Sequence, residues 1–119
     1  MKIGLFKYSD PQFPALLKEI PDAPEQLYLW GNVELLYSDC VAMVGTRVPT
    51  PYGENLALDW AEKLSAGGLT VVSGLAYGID AAAHRGALKG GGKTIAVVAQ
   101  AISELQPTSH RALAEKIVK

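Results

Sequence analysis

A single cysteine, Cys40, stands in a chain of 119 residues, so neither an internal disulfide nor a metal site built from several cysteines is available. Long apolar runs are missing too. The longest, such as Leu69 to Val72 and Ile95 to Ala99, fall far short of the roughly 18 to 20 residues a membrane helix needs. The opening Met1 to Lys7 has a short apolar patch broken by Lys7 and no small-residue cleavage pattern, so no secretory signal is expected and the chain reads as cytoplasmic. Charge of one sign is also scarce: eleven Lys and Arg face twelve Asp and Glu, for a net charge of -1, which alone decides nothing about anionic partners. With 49% hydrophobic and 19% charged residues, the composition is that of one globular domain with one core.

The small net charge hides a gradient. Residues 1 to 40 carry three basic and six acidic side chains, while residues 84 to 119 carry six basic and two acidic ones together with both histidines, His84 and His110. A local basic surface is therefore open, and so is the plainer reading of solvated helix faces.

Four of the seven prolines fall in the first forty residues. Ser9-Asp10-Pro11 has the pattern of a helix start, and Phe13, Leu16, Leu17 and Ile20 follow at helical spacing before Pro21 to Pro24 end it. Leu27 to Gly31 reads as a short strand. We expect residues 1–38 to form an N-terminal extension and residues 39–119 a second unit.

From Val41 the pattern becomes that of strand-helix-strand repeats. Val41 to Val44 reads as a strand buried on both faces, with Cys40 a small buried residue beside it. Gly53 to Ala66 reads as a helix with Leu56, Trp60 and Leu64 on the inward stripe, thickened by Ala57 and Ala61. Leu69 to Ser73 and Thr94 to Val98 read as strands, Ile79 to Lys89 as an alanine-rich helix, and Thr108 to Val118 as a last helix with Leu113 and Ile117 inward. The fold class expected is α/β: a Rossmann-like three-layer parallel sheet with helices on both faces, here a partial half-domain with a short N-terminal extension. The first strand would then have an open edge, to be covered by the Leu27 to Leu29 strand, by another subunit or by further chain.

The candidate chemistry lies after the strands. Gly45-Thr46-Arg47 follows the first, and Ser73-Gly74-Leu75-Ala76-Tyr77-Gly78 follows the second. Glycines let an anion approach backbone N–H groups, and an arginine offers a planar fork of donors, so Gly45, Thr46, Arg47, Ser73, Gly74 and Gly78 form a candidate phosphate cradle. The alternative, glycines needed only for tight turns, stays open. The dinucleotide spacing G-x-G-x-x-G does not occur in either loop, which argues against a dehydrogenase. Gly92-Lys93-Thr94 imitates the end of a Walker A loop, but Ala87 stands where the leading glycine should be and a strand follows instead of a helix. Asp80 and His84 lie one turn apart with Ser73 nearby; this pattern suits structural support of the loop better than a hydrolytic trio, and no metal set joins them to His110. Tyr52, Tyr77 and Trp60 are the aromatics that could stack on bases if exposed, with Trp60 assigned to the core and Tyr77 the best placed.

Val44-Gly45-Thr46-Arg47, Pro49 to Gly53, the string Ser73-Gly74-Leu75-Ala76-Tyr77-Gly78-Ile79-Asp80 with Ala83-His84, and Gly92 to Val97 together resemble the DprA/Smf family of DNA-processing proteins. The likeness covers roughly residues 8 to 98. It implies a non-enzymatic binder of single-stranded DNA that serves natural transformation and recombination by loading the RecA recombinase, with RecA as a further partner; a second copy of the chain is a partner open on the strand edge alone. It implies Arg47 as the basic binding residue, with the glycine loops as the floor; Lys93 is added on charge alone. No cofactor, metal or membrane is expected. Two other readings stay open: a nucleotide-binding Rossmann-like protein, although the Pro-Gly-Gly-x-Gly-Thr signature of the phosphoribohydrolases is absent, and a non-binding dimerisation or interaction module. Past the third strand, Ala99 to Pro107 departs from the glycine-rich loop of the family.

Overall fold

The computed structural model describes residues 2–104 and 110–119. The first strand, β1 (Gly4–Lys7), pairs antiparallel with β2 (Gln26–Leu29) in a two-stranded sheet of its own. Between them a small cluster forms around Phe13, which is buried against the Tyr8 ring, with the Lys18 ammonium over both rings. The helix expected from Ser9 shrinks to α1 (Ala15–Lys18). Asp10 is used instead to close the exit of β1, its carboxylate accepting the Lys7 N–H at 2.7 Å, and Pro14 bars helical geometry at the residue before it. Leu16 and Ile20, which follow Phe13 at helical spacing, are exposed.

A single helical turn over Val33–Tyr37 leads into the parallel sheet, in the order β3 (Cys40–Ala42), β4 (Thr70–Ser73), β5 (Thr94–Ala96). Helices α2 (Pro51–Ala66), α3 (Ile79–Lys89) and α4 (Arg111–Ile117) flank it. Thr50 caps α2, its Oγ1 accepting the Gly53 N–H at 3.1 Å, and Pro51 occupies the first turn, so the helix starts two residues before the expected Gly53. The last helix was expected from Thr108; Thr108 and Ser109 lie outside the described residues.

Strand β3 is not buried on both faces. Val41 and Met43 pack with Ala61, Val71, Ala83 and Ala87, while Cys40, Ala42 and Val44 are exposed. These residues alternate with Val41 and Met43 and so lie on the opposite face of β3, which is left uncovered; β3 is also an edge strand, with β4 its sole partner among the described residues. The Leu27 strand does not cover that edge, since β2 is committed to β1.

The orientation of α2 also differs from expectation. Ala57, Ala61 and Ser65 face inward, and Trp60 is 57% exposed, with Tyr52 and Leu56 on the same outer stripe. The distance between α2 and α3 decides this. A Cβ at Gly86 would run into the carbonyl of Leu58, and one at Gly90 into the carbonyl of Glu62. Backbones that close admit only small residues between them, so the alanine stripe is chosen over the bulkier one. The Ser65 hydroxyl completes the contact by donating to Ala87 O at 2.7 Å.

Gly86→Ala is therefore expected to destabilise the fold by about 2 kcal/mol or more, whereas Trp60→Ala, despite removing the larger side chain, costs less than about 1 kcal/mol. Urea unfolding of both variants beside the wild type checks the ranking; a larger loss in Trp60→Ala would place the core on the other stripe.

Candidate functional site

The loops after β3 and β4 meet at the carboxyl end of the sheet, where open α/β sheets hold their ligands. Gly78, at φ 79°, lies so close to the first loop that a Cβ there would strike the carbonyls of Thr46 and Arg47. Ile79 N–H donates to Thr46 O at 3.1 Å, and a Cβ on Gly45 would meet the Ile79 side chain at 2.8 Å. Gly45, Thr46, Arg47, Gly74, Tyr77 and Gly78 are thus brought to one place. Thr46 Oγ1 accepts the Val48 N–H at 3.2 Å and shapes the turn.

The expected cradle of backbone donors is narrower than the glycines suggest. The first N–H of α3 is already spent on Thr46 O, and Asp80 places a carboxylate in the first turn of that helix, with Oδ2 against Gly74 and Oδ1 buried without a partner. A carboxylate there satisfies the helix dipole in place of an anionic ligand. Ser73 is taken as well, its buried hydroxyl donating to Met43 O at 2.6 Å and tying β4 to the end of β3. What faces solvent is Arg47, exposed and with no hydrogen bond or ion pair to any described residue, and Tyr77, 51% exposed on the neighbouring loop.

Lys93 does not join them. It precedes β5, and in a parallel sheet that puts it at the amino end, opposite the loops. Two further cations of the basic last third are engaged elsewhere, Lys89 approaching Glu62 at 3.8 Å and Arg111 donating to Ser103 O at 2.9 Å.

His84 supports the second loop from below. Fully buried, it accepts the Leu75 N–H at Nε2 (3.2 Å) and sets Nδ1 2.8 Å from Thr94 Oγ1. The Thr94 hydroxyl donates to Val71 O at 2.6 Å, so its oxygen must accept from His84 Nδ1–H. The imidazole is therefore neutral with its proton on Nδ1. Burial lowers its pKa from 6.5 to about 4, against the opposing pull of Asp80 and with His110 and Arg85 adding to the lowering. Ser73, Asp80 and His84 make no hydrogen bonds to one another, so the trio weighed from spacing is not assembled.

Sequence reasoning missed His110, whose tie to this loop spans 35 positions and has no local signature. Its Nδ1–H donates to Leu75 O at 2.8 Å, and its ring meets Tyr77 edge-on at 4.9 Å. Elsewhere, an apolar groove of about 1000 Å³ runs between the N-terminal unit and β5, lined by Leu29, Leu36, Ile95 and Val97 among others. Its lining offers no basic group. Among the described residues no cluster of metal-ligating side chains occurs, and no helix is long and apolar enough to cross a membrane.

Parallel strands with helices between them and two apposed loops at their carboxyl ends define a Rossmann-like α/β unit, the loops lying where sheets of this class hold ligands. The chain belongs to the DNA recombination-mediator protein A family, whose model matches residues 4–119. It is 40% identical over 119 residues to DNA processing protein DprA of Streptococcus pneumoniae, covering 98% of this chain and 41% of that protein. To the putative DNA processing protein DprA of Mycobacterium tuberculosis it is 49% identical over 103 residues, 83% of this chain and 26% of the relative. The crystal structure of the S. pneumoniae protein superposes with a TM-score of 0.91, and a structure of DNA processing protein A from Helicobacter pylori, solved to explain its single-stranded DNA binding mode, with 0.86 at 28% identity over 99% of this chain and 52% of that one. The chain thus spans about half or less of the length of these relatives.

The buried neutral imidazole makes stability depend on pH. The folded pKa lies below the unfolded value, so the contribution of His84 is complete above about pH 6.5 and is lost as pH falls toward 4, a loss on the order of 3 kcal/mol. Urea unfolding at pH 7.5 and 4.5 should show this loss in the wild type and a clearly smaller one in His84→Gln; equal losses in both would contradict the assignment.

Proposed function

We propose that this chain is a non-enzymatic single-stranded DNA binding module of the recombination-mediator family, in which Arg47 contacts a phosphate and Tyr77 stacks on a base beside it. Gly45, Thr46, Gly74 and Gly78 form the floor that lets the two loops lie together, and Asp80, His84 and Ser73 hold that floor from beneath. The observation that carries the reading is an exposed Arg47, without a hydrogen bond or ion pair to any described residue, whose backbone lies against Gly78 on the loop that presents an exposed Tyr77. An arginine and an aromatic ring on two apposed loops suit a strand whose phosphates and unstacked bases alternate. The H. pylori relative, described by its single-stranded DNA binding, supports the same ligand here.

In this reading the bound strand is delivered to the RecA recombinase in the cytoplasm, during transformation and recombination, and the open edge of β3 is where a second copy would pair. Lys93 takes no part in the loop site.

With Arg47 the single cation of the loop pair, binding should be weak and only modestly salt-dependent. Arg47→Ala should lower affinity for a labelled oligo-thymidine by roughly tenfold and reduce the salt slope of log K by about 0.7, one phosphate contact on a single strand. Fluorescence anisotropy at two salt concentrations measures both quantities. Unchanged affinity and slope in the variant would remove Arg47 from the site.

A further inference from the structure

Leu75 is the one non-glycine residue with a positive φ among the described residues, at 62°, and its side chain is buried. A leucine held there is strained, and the surroundings must hold it in place. Both of its main-chain polar groups are taken by histidines. His84, on α3, accepts the N–H, and His110, at the entry to α4, donates to the carbonyl. His110 is only 4% exposed, so it cannot reach a strand lying over the loops. Its ring nevertheless meets Tyr77, the exposed aromatic two residues beyond Leu75.

We propose that His110 is a positioning residue for the binding loop: its Nδ1–H fixes Leu75 in the left-handed conformation while its ring fixes the plane of Tyr77. Two contacts from one buried side chain thereby set both the backbone of the loop and the aromatic it displays. The loop is consequently coupled to α4, whose Leu113 and Ala114 pack with Leu75 and Ala81 in the same cluster. Removing His110 frees the Leu75 carbonyl and releases Tyr77 to rotate, with no loss of any group that touches the ligand. The part of this inference that concerns DNA rests on the binding reading given above; the loop geometry does not.

Three variants separate the two contacts. His110→Asn keeps a side-chain amide N–H near the place of Nδ1 but has no ring, His110→Phe keeps a ring without the donor, and His110→Ala has neither. Amide hydrogen exchange of the free protein at Leu75 and Ile79, whose N–H groups are bonded to His84 Nε2 and Thr46 O, reads the loop without DNA, and anisotropy of labelled oligo-thymidine reads binding. His110→Ala should speed exchange at these two amides by about tenfold while leaving the centre of α2 unchanged, and weaken binding about fivefold. His110→Asn should restore the exchange protection and only part of the affinity, because the ring is still missing. Unchanged loop exchange in folded His110→Ala would overturn the proposal. If His110→Ala does not fold, equal loop exchange in His110→Asn and His110→Phe would overturn it, and protection in Asn alone would support it. Faster exchange in a protein whose wild type binds no oligo-thymidine would uphold His110 as the loop's anchor and overturn the DNA reading instead.

Discussion

A neutral imidazole buried at the junction of two strands and a loop is the constraint on which the site depends. His84 receives the amide of Leu75 and passes its own proton toward Thr94, whose hydroxyl reaches the main chain of β4. One side chain thus joins α3, β5 and the turn after β4 by bonds that each need the others to fix their direction. The network fills the donors and acceptors of its members, and in a dry interior that completeness is what makes it stabilising. Exchange any member for a group of different hydrogen-bonding sense and a buried polar atom is left unpaired.

From that anchor the surface follows. Leu75 is held in a conformation leucine disfavours, Gly78 turns the chain where a side chain would not fit, and Ile79 closes on Thr46. The two loops are then one surface. Little of it is charged: a carboxylate sits beneath, the serine faces inward, and a single arginine and a tyrosine remain for a ligand. In the binding reading proposed above, such an arrangement offers one phosphate contact and one stacked ring, and gains affinity only when placed beside further contacts. The relatives are more than twice as long as the stretch this chain matches in several cases, which leaves ample room for such contacts in proteins of that length.

Much of this was legible in the residues. The alternation of apolar runs with helical stretches located all three parallel strands, and the string from Ser73 to His84 singled out both the loop and the histidine beneath it. Periodicity failed where a distance between elements, not a pattern within one, set the outcome. Trp60 lies on the bulkier stripe of α2 and was assigned to the core, yet the glycines of α3 bring the helices too close for it. Val44 and Cys40 read as buried because their strand is apolar throughout, and are exposed because they alternate onto the face of that strand which nothing covers. Lys93 looked like a ligand for phosphate from its charge, but a parallel sheet sends the residue before a strand to the wrong end. His110 could not be found at all, since its role exists only once α4 folds back across the loop.

In the proposed function the ligand lies on the loop pair at the carboxyl end of the sheet. The most direct test of that placement is a titration of the isotopically labelled protein with an oligo-thymidine, following backbone amide shifts. The largest changes should fall on Gly45 to Arg47 and Gly74 to Gly78, with the buried amides of α3 little affected. Changes centred instead on Lys93, or on the apolar groove around Leu29 and Ile95, would contradict it.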